Sequence, residues 1–399
     1  CLISQGRSYL LQKTKNSENN EEYVAFVDVP AMGGQVYYLN QQSFSPNASL
    51  FQYENSHLET PWYQVQFDAA MRISSLVDRE TGKEFVKPGM ALNTLQTAED
   101  IPVLWDAWDI DVDYQLKLRN EERLSSSEVI SCGPLFWQMR NRYQIGKLST
   151  LVQDVFFYAH HKRIDFVTSI DWFEDHQLLK TLFPVQITTE KVKCDIQYGH
   201  VERTTHTNTL ADRAQFEICA HKWIALDDGS FGAALLNDCK YGHDVSDSEL
   251  RLTLLKSSKA PDSEADMGTH TLTYAFLPYQ GAWTVENVVR SAYDLNIPLT
   301  TVNVESKKGE RGLFSLFRID NPNVMLTAVK KAEGEEALVL RLYEASGGEQ
   351  QTTLSAALEV QTVWLTNMLE DQEQIIAVHD GKISLTFRGF EIKTLKLAW

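Results

Sequence analysis

The sequence lacks long apolar runs, and its basic residues are outnumbered by acidic ones. No stretch approaches the roughly 18 to 20 apolar residues that a membrane-spanning helix needs. Only 37 Lys and Arg stand against 54 Asp and Glu in 399 residues, which gives a formal net charge of −17 and a pI of about 5.1. Because phosphate binding needs clustered Lys and Arg, this balance argues against a nucleic-acid or anionic-membrane partner. A neutral ligand suits the composition better.

Cysteine is also scarce. The five cysteines are odd in number, and none stands in a CxxC pair: Cys1, Cys132, Cys194, Cys219 and Cys239. This pattern argues against a disulfide or zinc framework and predicts free, buried thiols in a reducing compartment, so we expect a cytoplasmic protein. The chain begins with Cys1 and not with Met. We interpret it as a segment of a longer protein more readily than as a mature lipoprotein.

Helical periodicity and nucleotide-binding loops are rare, whereas strand periodicity is frequent. Apolar side chains alternate with polar or small ones in residues 63–67, 272–276, 338–342 and 383–387. The best helical pattern follows Thr284, a candidate N-cap. Since no βαβ rhythm is visible, the sequence predicts an all-β protein built from large antiparallel sandwiches.

Shifts in composition suggest where domains meet. Residues 13–22 are polar and predict a loop, and residues 305–312, ESKKGERG, form a charged break after which new strands begin. We therefore predict a main β domain at residues 45–303 and a smaller β-sandwich at residues 304–399. Residues 1–44 are predicted to be edge strands of a preceding or small β domain.

Tryptophan and aspartate are concentrated in one stretch, IPVLWDAWDIDVDYQ, residues 101–115. Its aspartates begin like a calcium-binding EF-hand loop at Asp109. However, Tyr114 stands where that loop needs Gly, and Asn120 stands where it needs Glu. A calcium loop is therefore excluded.

The same stretch contains a second pattern. Apolar and polar side chains alternate over residues 110–119, which predicts a half-buried strand with one solvated face. Trp105 and Trp108 just before it leave two interpretations open. Paired indoles beside carboxylates can stack on sugar rings, or they can fill a core.

Two further stretches are rich in hydrogen-bonding side chains. YGHVERTTHTNT, residues 198–209, is interpreted as a polar loop at an interface or cleft, with a solvated surface loop as the alternative. In residues 235–247, a buried strand precedes a polar turn whose Tyr241 and His243 either line a site or belong to a hydrogen-bonded structural turn. No GxSxG, HExxH or CxxC motif occurs, so the residues alone identify no catalytic group and no metal ligand.

Four blocks of the sequence, taken in order, resemble the C-terminal half of glycoside hydrolase family 38 α-mannosidases: EDIPVLWDAWDIDVDY, YGHVERTTHTNT, FEICAHKWIALDDGSFGAALLNDCKYGHD and DMGTHTLTYAFLPYQG. Three later blocks resemble that family's last strands: NPNVMLTAVKKAE, LRLYEASGG and FEIKTLKL. The resemblance therefore covers about residues 23–397. It departs at HVERTTHTNTLAD, where Thr204 and Leu210-Ala211 replace the usual Pro and Ser-Trp.

The resemblance implies a large antiparallel β-supersandwich of the galactose-mutarotase type, followed by a smaller β-sandwich. It implies a retaining, zinc-dependent α-mannosidase as the parent enzyme, with its zinc ligands and catalytic carboxylates on an N-terminal half. No catalytic or metal-binding residue is carried over, and this segment alone is expected to be inactive. Family members complete the substrate cleft with the C-terminal half, for which Arg203, Tyr241 and His243 are the candidate substrate-binding residues.

Two partners follow from the resemblance: an α-mannoside or oligosaccharide, and the N-terminal catalytic domain of the same protein. The oligomeric state is left open, a homo-oligomer included. The alternative function is a stand-alone carbohydrate-binding or mutarotase-like module that uses Trp105, Trp108 and nearby acids, and a purely structural sandwich is the third. A segment of a larger enzyme should expose an apolar interface, whereas a stand-alone module should not.

Overall fold

The structure is a computed structural model, and it describes residues 1–14, 22–40, 50–304 and 312–399. Within these ranges the strands pair in antiparallel fashion throughout, so the predicted all-β class is confirmed. The predicted domain boundary at residues 44 and 45 lies outside the described residues, as does most of the charged break at 305–312. The domain bounds therefore stay predictions.

A nine-stranded sheet forms one wall of the main sandwich. Its strands, in spatial order, are Leu124–Cys132, Phe136–Ile145, Ser149–Tyr158, Ile164–Trp172, Gly268–Gln280, Phe231–Asn237, Trp223–Asp227, Lys191–Ile196 and Gly199–Thr204. Leu272, Tyr274 and Phe276 alternate along one strand and are buried, as their spacing predicts.

A six-stranded sheet forms the other wall. Its strands, in spatial order, are Arg119–Asn120, Thr94–Glu99, Gln177–Pro184, Glu249–Lys256, Gly242–Ser246 and Ile218–Cys219. Phe183 of this sheet packs on Phe166 and Phe276 of the nine-stranded sheet, with ring centroids 5.6 and 5.3 Å apart. A four-stranded sheet shares the same core, with strands Ile73–Asp78, Tyr63–Phe67, His57–Glu59 and Gln52–Glu54. This arrangement confirms the predicted supersandwich.

A buried hydrogen-bond network joins the two walls. Asn93 Nδ2 donates to Gln153 Oε1 (2.6 Å), and Tyr274 OH donates to Asn93 Oδ1 (2.6 Å). Thr181 Oγ1 also donates to Asn93 Oδ1 (3.1 Å), and Gln153 Nε2 donates to Thr168 Oγ1 (2.9 Å). An unpaired buried polar group costs about 1–3 kcal/mol, so these groups are tolerated because they satisfy one another.

A smaller sandwich occupies the C-terminal residues, as predicted. Its five-stranded sheet consists of Val324–Lys331, Leu338–Glu344, Ile392–Ala398, Thr362–Thr366 and Gln372–Ile376. Its three-stranded sheet consists of Phe317–Ile319, Gln350–Ala356 and Lys382–Phe387. The alternating Leu340 and Leu342 pack with Ile383, Leu385 and Phe387 in one core.

The predicted helix lies beside the junction of the two sandwiches. Thr284 Oγ1 accepts from Asn287 N (3.0 Å) as the N-cap, and a π-helical turn, Val285–Val289, continues into the α-helix Arg290–Asn296. Its apolar face shares a buried cluster with residues of both sandwiches, among them Trp223, Leu236 and Tyr343. In the described parts of the chain, no helix is both long enough and apolar enough to cross a membrane.

The first residues form short strands that return to the rest of the chain. One small sheet consists of Arg7–Tyr9, Leu2–Ser4 and Tyr38–Leu39. A second consists of Gln12–Lys13 and Tyr23–Val24. Gly33–Gln35 pairs with Leu313–Ser315, next to the C-terminal sandwich. A Cβ on Gly33 would lie 1.9 Å from the carbonyl oxygen of Phe314, so this close pairing requires glycine.

No disulfide joins cysteines among the described residues, and most of the five side chains are not buried. Only Cys194 is buried, whereas Cys132, Cys219 and Cys239 are exposed. Cys132 ends an edge strand, Cys219 lies on a two-residue edge strand, and Cys239 lies in a turn, positions that are less covered than the middle of a sheet. The prediction of buried thiols is therefore wrong for these three residues.

Candidate docking segment and its buried anchors

Residues 110–118 do not form the half-buried strand that their alternation predicts. The strand Thr94–Glu99 ends before this stretch, which is a loop followed by the 3₁₀ helix Tyr114–Lys117. Val112 and Leu116, assigned to the buried face by the alternation, are 63% and 87% exposed. The strand prediction is wrong here.

Local hydrogen bonds explain why a loop forms instead. Asp109 Oδ1 accepts from Ile110 N (2.9 Å), and Asp111 Oδ1 accepts from Asp113 N (3.0 Å). Such side-chain-to-backbone bonds compete with the ladder of a sheet, which is why Asp favours turns. At these positions the turn chemistry of the aspartates outweighs the period of two.

The loop presents its apolar side chains to solvent. Trp105 and Trp108 are 76% and 91% exposed, and Val103 is 97% exposed. We name the exposed apolar residues of this stretch the apolar segment: Val103, Leu104, Trp105, Trp108, Val112 and Leu116. Single exposed apolar residues are ordinary, whereas large contiguous exposed apolar patches are typical of contact surfaces.

The two aspartates of WDAWD have different roles. Asp106 Oδ2 accepts from Lys259 N (2.5 Å) and Ala260 N (3.0 Å) and lies 3.2 Å from His176 Nε2. Burial raises the pKa of Asp106, but the two amides and His176 outweigh it, and the pKa ends below its usual value. Asp109 is exposed. The motif thus turns one carboxylate inward as an anchor and both indoles outward.

Asp100 is a second anchor, at the start of the loop. It is 2% exposed, its Oδ1 accepts from Asp111 N (2.8 Å), and its Oδ2 pairs with Lys256 Nζ. Lys117 pairs in turn with Asp111 (2.6 Å) and Glu99 (3.6 Å). These ion pairs tie both ends of the loop to the six-stranded sheet.

Tyr114 is the third anchor and the one fully buried side chain of the 3₁₀ helix. Its hydroxyl lies 2.6 Å from Glu217 Oε1 and 3.0 Å from Asp244 Oδ2. Lys180 Nζ pairs with Glu217, with Asp244 Oδ2 (2.9 Å) and with Thr253 Oγ1 (2.8 Å). We name Tyr114, Lys180, Glu217 and Asp244 the anchor cluster.

The anchor cluster lies on the outer face of the six-stranded sheet. Lys180 alternates with Leu179, which lies in the core between the two walls, so Lys180 points away from that core. Burial raises the pKa of Asp244, but Lys180 and Arg251 outweigh it and the pKa ends lowered. Burial raises the pKa of Glu217, and its net shift remains upward despite Lys180. Glu217 is therefore the carboxyl of the cluster that most readily takes a proton.

The three predicted substrate-binding residues lie in different environments. Arg203, on the edge strand Gly199–Thr204, donates through Nη1 to Gln215 Oε1 (3.3 Å). Tyr241 is 49% exposed, and its ring centroid lies 5.3 Å from that of His221.

His243 is fully buried on the core side of its strand, and burial lowers its pKa to about 3. Among the described residues, neither of its ring nitrogens has a hydrogen-bond partner. The substrate-binding roles of Arg203, Tyr241 and His243 stay predictions.

The stretch 198–209 is only partly a loop. It begins as the strand Gly199–Thr204, and the loop that follows contributes residues 205–208 to the lining of a polar groove of about 520 Å³. Lys87 also lines this groove, and its Nζ pairs with Asp247 Oδ2 (3.0 Å).

The sequence interpretation missed Lys180, Glu217 and Asp244. One signal was present, since Lys180 is the single charged residue in the buried run QLLKTLFP. A lone cation among apolar residues indicates a buried ion pair. Its partners come from distant strands and leave no local pattern.

The zinc implied by the family resemblance finds no ligand set in the described ranges. No group of three or more His, Cys, Asp and Glu side chains there could hold a metal ion. No chemical step in this chain is therefore derived through zinc.

Comparisons with known proteins agree with this architecture. The family model described as "Glycosyl hydrolases family 38 C-terminal domain" matches residues 58–264. "Glycosyl hydrolases family 38 C-terminal beta sandwich domain" matches residues 323–395. These matches define a β-sandwich region of a glycoside hydrolase. The chain belongs to glycosyl hydrolase family 38, which confirms the resemblance read from its sequence blocks.

Curated relatives and a solved structure extend the comparison. The chain is 35% identical over 387 residues to "Alpha-mannosidase 2C1" of Homo sapiens, covering 94% of this chain and 37% of that protein. It is 31% identical over 337 residues to "Alpha-mannosidase G" of Dictyostelium discoideum, covering 82% and 31%. The chain thus spans about a third of the length of these relatives. A family 38 protein from Enterococcus faecalis shares the fold, with a TM-score of 0.78 at 15% identity over 100% of this chain and 52% of that chain.

Proposed function

We propose that this chain is the C-terminal region of an α-mannosidase and that it completes an enzyme whose catalytic residues lie on another part of the polypeptide. Membership of family 38 supports this, as do the curated relatives, which bear the name α-mannosidase and are about three times as long as this chain. The chemistry of the whole enzyme would be retaining hydrolysis of α-mannosides, with zinc and both catalytic carboxylates supplied by the catalytic half.

The exposure of the apolar segment carries the proposal. A buried indole removes roughly 150–250 Å² from water, which stabilises an interface by about 4–6 kcal/mol at 25 cal/mol per Å². Trp105 and Trp108 together offer about 300–500 Å² of apolar area to a partner, whereas Asp106 Oδ2 is already hydrogen-bonded within this chain. We propose that the catalytic half covers the apolar segment and that the segment becomes one wall of the substrate cleft.

The proposed substrate contacts remain Arg203, Tyr241 and His243. Tyr241 is half exposed, so its hydroxyl can reach a sugar without any change in the fold. His243 would need the strand Gly242–Ser246 to open before it could touch a ligand. Among the three, Tyr241→Phe is therefore the substitution we expect to raise KM for an α-mannoside.

The first experiment measures hydrolysis of nitrophenyl α-mannoside and zinc content on this 399-residue chain. We expect no turnover and no stoichiometric zinc. Turnover with bound zinc would refute the proposal, because this chain would then hold its own active site.

The second experiment compares hydrogen exchange of residues 101–118 in the isolated chain and in the complete enzyme. Exchange should be slower in the complete enzyme because the catalytic half covers the apolar segment. In that enzyme, Trp105→Ala with Trp108→Ala should lower kcat/KM, whereas Trp399→Ala, at a half-exposed tryptophan outside the apolar segment, serves as the control. Equal exchange in both proteins would argue for the alternative, a sugar-binding module, which calorimetric titration of the isolated chain with mannose oligosaccharides would test.

A cytoplasmic location is proposed as well. The exposed thiols of Cys219 and Cys239, which form no disulfide in the structure, support it, since exposed cysteines stay reduced in a reducing compartment. Cell fractionation with an antibody to this chain tests the location, and recovery from a secretory compartment would contradict it.

A further inference from the structure

The apolar segment needs contacts from other side chains to keep its exposed position. Residues 101–118 make no sheet pairing, and the apolar segment within them faces water, while Tyr114 is buried and Ile110 and Leu118 pack against it. Exposed apolar side chains gain free energy by folding back onto the nearest apolar surface, at about 25 cal/mol per Å² buried. A structural device must hold them outward in addition to Asp106, which anchors the middle of the loop.

We propose that the anchor cluster is that device: Tyr114, held between Glu217 and Asp244 above Lys180, positions the apolar segment for the catalytic half. This inference rests on the docking function proposed above. Tyr114 is then a positioning residue, since it acts through the side chains beside it in the chain and not on the substrate.

The geometry of Tyr114 supports this role. Its ring lies above the ammonium group of Lys180, with Nζ 4.8 Å from the ring centroid, which is a cation–π contact. Its hydroxyl lies between two carboxylates, with O···O distances of 2.6 and 3.0 Å. The ring thus fixes the depth of the 3₁₀ helix, and the hydroxyl fixes its rotation.

Lys180 gives the cluster a rigid base. It is fully buried on Gln177–Pro184, an inner strand of the six-stranded sheet. Its ammonium group has three hydrogens, which are shared among Glu217, Asp244, Thr253 and the Tyr114 hydroxyl (3.3 Å). A site mounted on an inner strand is positioned more precisely than one mounted on a loop.

Lys180 is the cation shared by both carboxylates of the cluster. Arg251 pairs with Asp244 (3.0 Å) and with Glu249 (2.6 Å), which lies outside the cluster. Removing Lys180 would leave Glu217 buried without a cation, so Lys180→Ala would disrupt the whole site and would not isolate the role of Tyr114. Tyr114→Phe leaves every charge in place and removes only the hydroxyl.

The cluster also reaches the strand that follows Tyr241. Glu217 Oε2 lies 3.6 Å from the position that a Cβ of Gly242 would take, and it has no hydrogen-bond partner among the described residues. Phe216, beside Glu217, packs on the Tyr114 ring with centroids 6.4 Å apart. The same four side chains therefore fix the apolar segment and the backbone next to Tyr241 relative to each other.

The test is Tyr114→Phe in the complete enzyme. KM for nitrophenyl α-mannoside should rise about tenfold while kcat stays within about twofold, because a displaced cleft wall weakens binding of ground state and transition state equally. Hydrogen exchange in residues 101–118 should rise about tenfold in the isolated chain. A merely structural loss would lower the active fraction, and hence kcat, at an unchanged KM.

Tyr143→Phe is the matched control. Tyr143 is also buried and donates one hydrogen bond, to the carbonyl oxygen of Ala70 (2.9 Å), but it lies in the nine-stranded sheet. It should leave KM and the exchange of residues 101–118 unchanged. If both variants behave alike, the inference is wrong. If Trp105→Ala with Trp108→Ala leaves kcat/KM unchanged, the docking proposal itself fails.

Discussion

Asp106→Asn tests whether Asp106, and not Asp109, anchors the WDAWD loop. The carboxylate of Asp106 accepts from the amides of Lys259 and Ala260, and hydrogen bonds to a charged group contribute about 1.5–3 kcal/mol against about 1 kcal/mol for neutral ones. Replacing two charged bonds by neutral ones therefore costs about 1–4 kcal/mol. Since 1.4 kcal/mol is a factor of ten, local opening of the loop should rise at least about 5-fold and up to about 700-fold.

Hydrogen exchange measures that opening residue by residue. The amides to follow are those of Lys259 and Ala260, together with Trp108 and Asp109, which both bond the carbonyl oxygen of Trp105 (2.7 and 2.8 Å). Asp109→Asn, in the same motif but on an exposed carboxylate, should leave their exchange within about twofold. Equal exchange in the two variants would refute the assignment of Asp106 as an anchor.

The same anchor predicts a pH dependence. The pKa of Asp106 is lower in the folded protein than in the unfolded chain, where it is about 3.9. Its stabilising contribution is therefore present above the unfolded pKa and is lost as the pH falls through the folded pKa. Protection at Lys259 and Ala260 should weaken below about pH 4 in the unsubstituted chain, and weaken less over that range in Asp106→Asn.

Three further substitutions test the scaffold by denaturant unfolding. Gln12→Ala should cost about 2–3 kcal/mol, because its side chain accepts from Leu135 N (2.8 Å) and holds the first residues on the nine-stranded sheet. Glu174→Ala should cost about 3 kcal/mol, since one of its oxygens accepts three hairpin amides and a buried hydroxyl. Gly232→Ala should cost more than about 2 kcal/mol, because its Cβ would lie 2.1 Å from the buried Tyr279 ring. A loss below about 0.5 kcal/mol, the ordinary effect of a surface change, would contradict the account of that residue.

Much of the fold was predictable because antiparallel sandwiches bury one face of each strand. Alternation in residues 63–67, 272–276 and 383–387 identified real strands, since a period of two translates directly into inward and outward side chains. Strand order was not predictable. Gly268–Gln280 lies between Ile164–Trp172 and Phe231–Asn237, and no local pattern encodes pairing between distant segments.

The site was predictable in part. WDAWD stands out in the sequence, but the sequence could not tell that Asp106 accepts from two backbone amides while both indoles stay in solvent. His243 and its neighbour Asp244 alternate on one strand, so only one of them could join Lys180. Which face of the strand Gly242–Ser246 carries the polar contacts depends on Glu217 and Tyr114, which belong to other segments of the chain.

The pairing of Gly33–Gln35 with Leu313–Ser315 has a consequence for biosynthesis. Ser315 Oγ donates to the carbonyl oxygen of Ala31 (2.6 Å), 284 positions earlier in the chain. At about 5–20 residues per second, the ribosome needs about 15–60 s to make the intervening chain. During that time the early strand has a free edge, so a nascent chain released too soon should be the form most prone to pair with a neighbour.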